Sequence, residues 1–158
     1  MKNLIKERLG EDVFLLLERI VQTADRLGVS VYAVGGFVRD LLLNIPNQDI
    51  DLVVEGEGIP FAIRLAEEHG CSVKSHEKFG TSVVIFPDAN RIDVATARKE
   101  YYEYPGALPT VEKSSVKSDL YRRDFTINCM AVKLTGANAF CLIDFFNGER
   151  DLKNREIH

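Results

Sequence analysis

The stretch that decides the fold runs from Val34 to Leu52 and reads VGGFVRDLLLNIPNQDIDL. It opens with a pair of glycines where a β-prone segment gives way to a helix-prone one, and it closes with two aspartates separated by one apolar residue. This pattern favours a strand, a glycine turn into a short helix, and a second strand. The polar residues at the turn and at the second strand are therefore the first candidates for a functional site.

Elements on both sides of this stretch alternate between helix and strand. Apolar periodicity predicts helices over 13–27, 36–43 and 60–70, and a helix or turn within 118–128. Strands are predicted over 31–34, 49–54, 71–76, 81–86, 91–96, 130–134 and 140–144, with 82–96 forming a hairpin, and 99–118 is predicted to be a mobile surface loop. The expected fold is α/β (α+β), with a mixed, largely antiparallel sheet of about five strands backed by helices on one face and the active site on the other.

Composition restricts the kinds of protein that this chain can be. With 158 residues, 46% of them hydrophobic and 28% charged, it is long enough for one ordinary domain with a core. Its net charge of -4 argues against strong nucleic-acid binding by this piece alone. The three cysteines lack a C-x-x-C spacing, and no apolar run is long enough to span a membrane. We therefore expect a cytoplasmic protein.

Asp49 and Asp51 are the first candidate metal ligands. Residues two apart on a strand project to the same side, so both carboxylates leave one face while Ile50 and Leu52 face the other. Two carboxylates held so close repel each other, and hard oxygen ligands suit Mg²⁺. The alternative is a solvated face at the edge of a sheet.

Asp93 is a third candidate carboxylate, in the apolar strand RIDVAT. If the hairpin places it beside Asp49 and Asp51, the set can hold two Mg²⁺ ions about 3.5 to 4 Å apart and stabilise both oxygens of a phosphoryl transfer. The alternative is an ordinary carboxylate at the edge of a hairpin.

The pair Gly35 and Gly36 supplies a candidate phosphate site. Glycines at a helix N-terminus let phosphate oxygens approach backbone N–H groups, and Arg39 follows one turn later. A simple turn from strand to helix is the alternative, because neither standard glycine-rich phosphate motif is present. The position of the pair just before the carboxylates favours the phosphate site.

At this point the ordered motifs resemble a known family. GGFVRD, DIDLVV, IDVATAR, DLYRRDFTIN and LIDFFNGERDL occur in the same order in the class II tRNA nucleotidyltransferases. That family contains the CCA-adding, A-adding and CC-adding enzymes and the bacterial poly(A) polymerases, and it belongs to the polymerase-β-like superfamily. The resemblance covers about residues 31–155.

The resemblance implies roles for particular residues, and these roles are expectations. Asp49 and Asp51 match the metal ligands, and Asp93 matches a third catalytic acidic position whose role varies. The nucleotide-binding set that the family pattern implies is Gly35, Gly36 and Arg39 for the triphosphate, with Arg123, Asp124 and Asn128 for the ribose. Without the resemblance, Arg122, Arg123 and Asp124 would be interpreted as an ion pair on a helix surface.

Two departures from the family pattern limit the analogy. The segment from Asp144 to Gly148 lacks the proline and one glycine of the family's flexible motif, which puts hinge mobility in doubt. No helix carrying the family's base-reading Asp and Arg follows Arg155. We therefore predict a nucleotidyltransferase head over residues 1–144, with 145–158 as a hinge and the start of a truncated helical neck.

The resemblance implies an enzyme that adds AMP, CMP or both from ATP or CTP to a tRNA 3′ end and releases pyrophosphate. The tRNA would be bound mainly by regions absent from this chain, and the isolated chain is expected to be inactive or unselective. Three alternatives stay open: the head of a poly(A) polymerase, a nucleotidyltransferase for small molecules or proteins, and a non-catalytic nucleotide-binding module. The choice among C, A, CCA and a poly(A) tail lies in the missing neck.

Overall fold

The computed structural model describes residues 1–47, 49–88, 90–101, 104, 106 and 110–158. Its helices are α1 (Lys2–Leu27), α2 (Gly36–Leu43), α3 (Gly58–His69), α4 (Val116–Tyr121) and α5 (Gly148–Asn154). Its strands are β1 (Ser30–Val34), β2 (Ile50–Glu55), β3 (Ser72–His76), β4 (Thr81–Ile85), β5 (Arg91–Thr96), β6 (Arg98–Tyr101), β7 (Thr110–Lys113), β8 (Met130–Lys133) and β9 (Cys141–Asp144). Short 3₁₀ turns cover Glu77–Phe79 and Thr126–Asn128.

One seven-stranded sheet forms the centre of the fold, in the order β3-β4-β5-β2-β1-β8-β9. Within the described residues every neighbouring pair is antiparallel except β2 and β5, which run parallel. The predicted α/β fold with a largely antiparallel sheet is confirmed, as is the hairpin formed by β4 and β5. The sheet has seven strands where about five were expected, because all the predicted β segments join it.

The two faces of the sheet are covered differently. Helices α1, α2 and α3 pack on one face, where alternate strand residues such as Leu52 and Val54 enter the main core. Residues of the opposite phase, such as Tyr32 and Val53, form a smaller core with Leu120 of α4. The helical layer therefore lies on one face, as predicted, whereas α4 covers only part of the other and leaves room for a site beside it.

The segment predicted as one mobile loop contains regular structure in its described residues. Strands β6 and β7 pair antiparallel, from Arg98 opposite Lys113 to Tyr101 opposite Thr110, and α4 begins at Val116. The prediction of a continuous loop was therefore wrong for these residues, while 102, 103, 105 and 107–109 lie outside the described residues. Some of the charges that suggested a loop form ion pairs, since Glu100 binds Arg98 at 3.0 Å.

Helix α1 is longer than predicted and supports α2. It begins at Lys2, eleven residues before the predicted start at Val13, and bends at Gly10, whose φ of 86° is non-helical. Before this bend, Arg8 Nη1 donates hydrogen bonds of 2.7 and 2.8 Å to the carbonyl oxygens of Leu41 and Leu42. These carbonyls are at the C-terminus of α2, where a cation stabilises the unpaired acceptors.

The connection between β9 and α5 is held by Asp144. Its carboxylate accepts hydrogen bonds from the backbone N–H groups of Phe146, Gly148 and Glu149, at 2.9 to 3.2 Å. Gly148 lies so close to the carbonyl group of Thr126 that a Cβ atom there would collide with it. The division into a head over 1–144 and a hinge with a neck over 145–158 stays a prediction.

No helix among the described residues has both the length and the apolar character needed to cross a membrane.

Candidate active site

The parallel pairing of β2 with β5 places two of the predicted carboxylates side by side. Asp51 is the register partner of Asp93, and both line a cavity of about 380 Å³. Arg91 and Arg123 line the same cavity. The strands thus bring acidic and basic side chains together on the sheet face that α4 leaves partly open.

Asp51 lies in an environment that opposes its charge. Burial raises the pKa of the Asp51 carboxyl above its ordinary value, and the like charges of Asp93 and Asp49 raise the pKa further. Arg123 acts in the opposite direction without reversing the shift. A cation bound between these carboxylates would relieve the repulsion, so the site fits a divalent metal ion.

The three predicted acidic residues differ in how closely they converge. Asp49 is exposed, whereas Asp51 is half-buried, and Asp93 is held by Arg91 Nη2 at 3.0 Å. The ligand oxygens of these three aspartates do not all lie within 4.8 Å of one another. Among the described residues, the group of three potential ligands that meets this limit is Asp151, Glu156 and His158. Asp51 and Asp93 therefore share one face and one cavity, whereas Asp49 lies just before β2 and is not among the residues that line that cavity.

The glycine turn forms a second cavity next to the first. Gly35 and Gly36 line about 460 Å³ of open space together with Arg39, Asp124 and Asn128. Gly35 has φ 68° and ψ −133°, a conformation that favours glycine, and a Cβ atom there would lie 3.1 Å from Arg123 Nη1. Arg123 lines both cavities, so the predicted phosphate and carboxylate sites adjoin each other.

Arg39 is fixed in this cavity by two side chains. Its Nη1 donates to Asn128 Oδ1 at 2.8 Å, and its Nε donates to Asp40 Oδ1 at 2.8 Å. Asp40 also accepts from Asn47 Nδ2, and Asn47 Oδ1 accepts from the backbone N–H of Asp49, each at 2.8 Å. A chain of hydrogen bonds therefore connects the predicted phosphate arginine to the first predicted metal ligand.

The residue that organises the arginines was not among the residues predicted from the sequence. Asp119 on α4 is fully buried, and its two carboxylate oxygens accept hydrogen bonds from Arg122 and Arg123 at 2.9 to 3.2 Å. Arg122 also binds Glu100 of β6 at 2.8 Å. The spacing of Asp119 from the two arginines, i+3 and i+4, was the available signal.

Asp124 does not form the ion pair with Arg122 or Arg123 that their neighbouring positions in the sequence suggested. Both arginines bind Asp119 instead, and within the described residues Asp124 makes no hydrogen bond or ion pair. It is exposed and lines the second cavity. Its carboxylate is therefore available to a ligand in that cavity.

Comparison with known proteins identifies the family. The family model described as the poly A polymerase head domain matches residues 31–158. The chain belongs to this family. An A-adding tRNA nucleotidyltransferase from Geobacter sulfurreducens is 55% identical over 155 residues, which are 98% of this chain and 18% of that protein.

Solved structures agree with this family assignment. An apo form of a CCA-adding enzyme is 48% identical, has a TM-score of 0.92, and matches 99% of this chain and 37% of its own. The Thermotoga maritima CCA-adding enzyme in complex with tRNA is 42% identical, with a TM-score of 0.86 and coverage of 99% and 34%. This head domain therefore spans 18 to 37% of the length of these three proteins. Nucleotidyltransferases of this family generally use divalent metal ions.

Replacing Asp51 by Asn is expected to raise the Tm of the head domain when divalent cations are absent. The raised pKa of Asp51 means that its ionised form destabilises the fold. That cost begins as the pH rises above about 3.9, the ordinary value for an aspartate. It is complete once the pH exceeds the raised pKa.

Thermal unfolding in EDTA at about pH 5 and about pH 8 checks this sign. The difference in Tm between Asp51→Asn and the wild type should be larger at the higher pH. Asp25→Asn, on the exposed surface of α1, is the matched control and should show no such difference. A lower Tm for Asp51→Asn at both pH values would contradict the electrostatic account.

Replacing Asp119 by Asn is expected to destabilise the head domain by about 3 to 5 kcal/mol, because it leaves two arginines without their buried counter-charge. Denaturant unfolding measures the loss, and Asp124→Asn serves as the control, since Asp124 is exposed and unpaired within the described residues. Similar midpoints for the two variants would show that Asp119 does not hold the arginines in place.

Proposed function

We propose that this head domain catalyses transfer of AMP, CMP or both from ATP or CTP to the 3′ end of a tRNA, with release of pyrophosphate. The observation that carries the proposal is the register of Asp51 with Asp93 on the face that also presents Arg123 and the Gly35 turn. A set of carboxylates beside a phosphate-binding turn is suited to phosphoryl transfer from a nucleotide.

In this proposal Asp49 and Asp51 hold Mg²⁺ ions in a two-metal site, and Asp93 completes the site. The bound metal would lower the pKa of the attacking 3′-hydroxyl and neutralise charge on the departing pyrophosphate. The repulsion that raises the pKa of Asp51 supports this assignment. The ion pair between Arg91 and Asp93 would have to rearrange for Asp93 to become a ligand.

The remaining residues are proposed to orient the nucleotide. Arg39 and the turn at Gly35 and Gly36 would bind the triphosphate, where the N-terminus of α2 favours negative charge. Arg123, Asp124 and Asn128 would bind the ribose. Asn128 already accepts a hydrogen bond from Arg39, so phosphate and ribose contacts belong to one connected set.

Of the two nucleotides, AMP is supported by the named activity of a similar protein. The protein at 55% identity is named an A-adding enzyme, and its match covers nearly all of this chain. The structure of the Thermotoga enzyme with tRNA supports a tRNA partner. Because the chain matches only 34% of that enzyme, we infer that most of the tRNA is bound by regions outside this domain. The proposed reaction takes place in the cytoplasm.

The test of this function is transfer of labelled AMP to a tRNA that ends in CC, by the intact protein. Asp49→Asn and Asp51→Asn are each expected to reduce kcat about a hundredfold or more, since each removes a metal ligand needed only by the chemical step. Asp25→Asn is the control and should retain the wild-type rate. Wild-type kcat in either site variant would exclude the metal assignment.

A second test concerns recognition of the sugar. Asp124→Ala is expected to reduce discrimination between ATP and dATP by about 1 to 3 kcal/mol, because the carboxylate that accepts the ribose hydroxyls is lost. The ratio of kcat/KM for the two nucleotides measures this change, with Asp12→Ala on α1 as the control. An unchanged ratio would place ribose recognition elsewhere in the protein.

A further inference from the structure

The exposed aromatic side chains of this domain are concentrated in one segment of the sequence. In the part of the chain that the structure describes, all exposed aromatic residues lie between positions 101 and 145, and they are Tyr101, Tyr104, Tyr121, Phe125 and Phe145. The exposed large hydrophobic residues outside this region are aliphatic. Two of the aromatic residues, Tyr101 and Tyr121, line the same cavity, and exposed aromatic rings that share a cavity suggest a binding surface.

A cavity of about 470 Å³ lies within this region, between β6 and α4. Tyr101 and Lys99 line it from β6, and Lys117 and Tyr121 line it from α4. The Tyr121 ring is 78% exposed and contacts the Phe146 ring, with 5.9 Å between centroids. We call this cavity, with its lining residues, the Tyr121 surface.

The charges of the Tyr121 surface suit an anionic ligand. Lys99 and Lys117 make no ion pair with any described residue, although the protein carries a net charge of -4. Lys117 Nζ lies 5.4 Å from the centroid of the Phe145 ring, which keeps a cation next to an exposed aromatic face. Alternating cations and aromatic rings are the features that bind single-stranded nucleic acid.

The Tyr121 surface is continuous with the proposed nucleotide cavity. Glu100 and Arg122 line both spaces, and Arg123, the next residue, reaches the cavity that contains Asp51. A chain bound on the surface could therefore extend toward the reacting centre without leaving the protein.

We propose that the Tyr121 surface binds the unpaired 3′-terminal nucleotides of the acceptor RNA, with a base stacked on Tyr121 and phosphates near Lys99 and Lys117. The inference rests on the proposed function and deepens it by locating the acceptor. A protein segment fits less well, because an apolar occupant would bury both ammonium groups without a counter-charge. Phosphates would neutralise them.

The test uses the intact protein and a tRNA acceptor-stem minihelix with 2-aminopurine as its 3′-terminal base. Stacking on an aromatic ring quenches 2-aminopurine fluorescence, so the wild type should quench it and Tyr121→Ala should lose most of the quenching. The KM for acceptor RNA should rise about tenfold in Tyr121→Ala, as expected for loss of one stacked base, while the KM for ATP changes less than about twofold. Tyr121→Trp should restore both signals.

Matched variants separate stacking from charge. Lys99→Ala and Lys117→Ala should each reduce the slope of log affinity against log salt by about 0.7, the value for one lost phosphate contact to a single strand. Lys74→Ala on β3 should leave the slope unchanged. Ile63→Ala removes an exposed apolar side chain from α3, and should leave the quenching and the KM for acceptor RNA unchanged.

The outcomes distinguish this inference from the proposed function. Normal transfer with unchanged quenching and acceptor KM in Tyr121→Ala would overturn the inference and leave the function intact. A lower Tm in Tyr121→Ala with unchanged quenching would mean that the surface packs against protein, which also overturns it. Quenching that requires Tyr121, in a protein that transfers no nucleotide, would support the surface and reject the function.

Discussion

The parallel pairing between β2 and β5 is the constraint on which the site depends. It sets Asp51 opposite Asp93, and the alternation of a strand then fixes which side chains face the core and which face the cavity. A slip of one residue would turn Leu52 toward the cavity and Asp51 into the helical layer. The apolar residues that β2 contributes to both cores therefore fix the position of the carboxylates as firmly as they stabilise the fold.

Much of this arrangement could be predicted from local sequence patterns. Alternation in DIDLVV was enough to predict one face for Asp49 and Asp51, because the period of a strand leaves two choices and the apolar residues decide between them. Asp93 was expected beside them only if the hairpin placed it there, and the pairing of β2 with β5 sets it opposite Asp51. The ordered motifs identified the family and placed the glycine turn. The width of the sheet was underestimated although each strand had been recognised, since strand pairing is a long-range property.

The ion-pair network could not be predicted in the same way. Arg122 and Arg123 stand next to Asp124 in the sequence, yet they bind Asp119, because α4 places that carboxylate in the interior, whereas Asp124 lies beyond the end of α4 and is exposed. Glu100 joins the network from β6, which pairs with β7, and the density of charge in that segment concealed the strand character of both. Sequence neighbours were thus a poor guide to partners where burial decides which charges meet.

The close approach of Gly148 to Thr126 packs the start of α5 directly against the 3₁₀ turn Thr126–Asn128. Thr126 Oγ1 also donates a 2.7 Å hydrogen bond to the buried Asp151 of α5, and two residues later Asn128 holds Arg39. A rotation of α5 about Gly148 would therefore move the turn, which would displace the guanidinium of Arg39. The position of α5 is thus connected, through Thr126 and Asn128, to the arginine that lines the cavity beside the glycine turn.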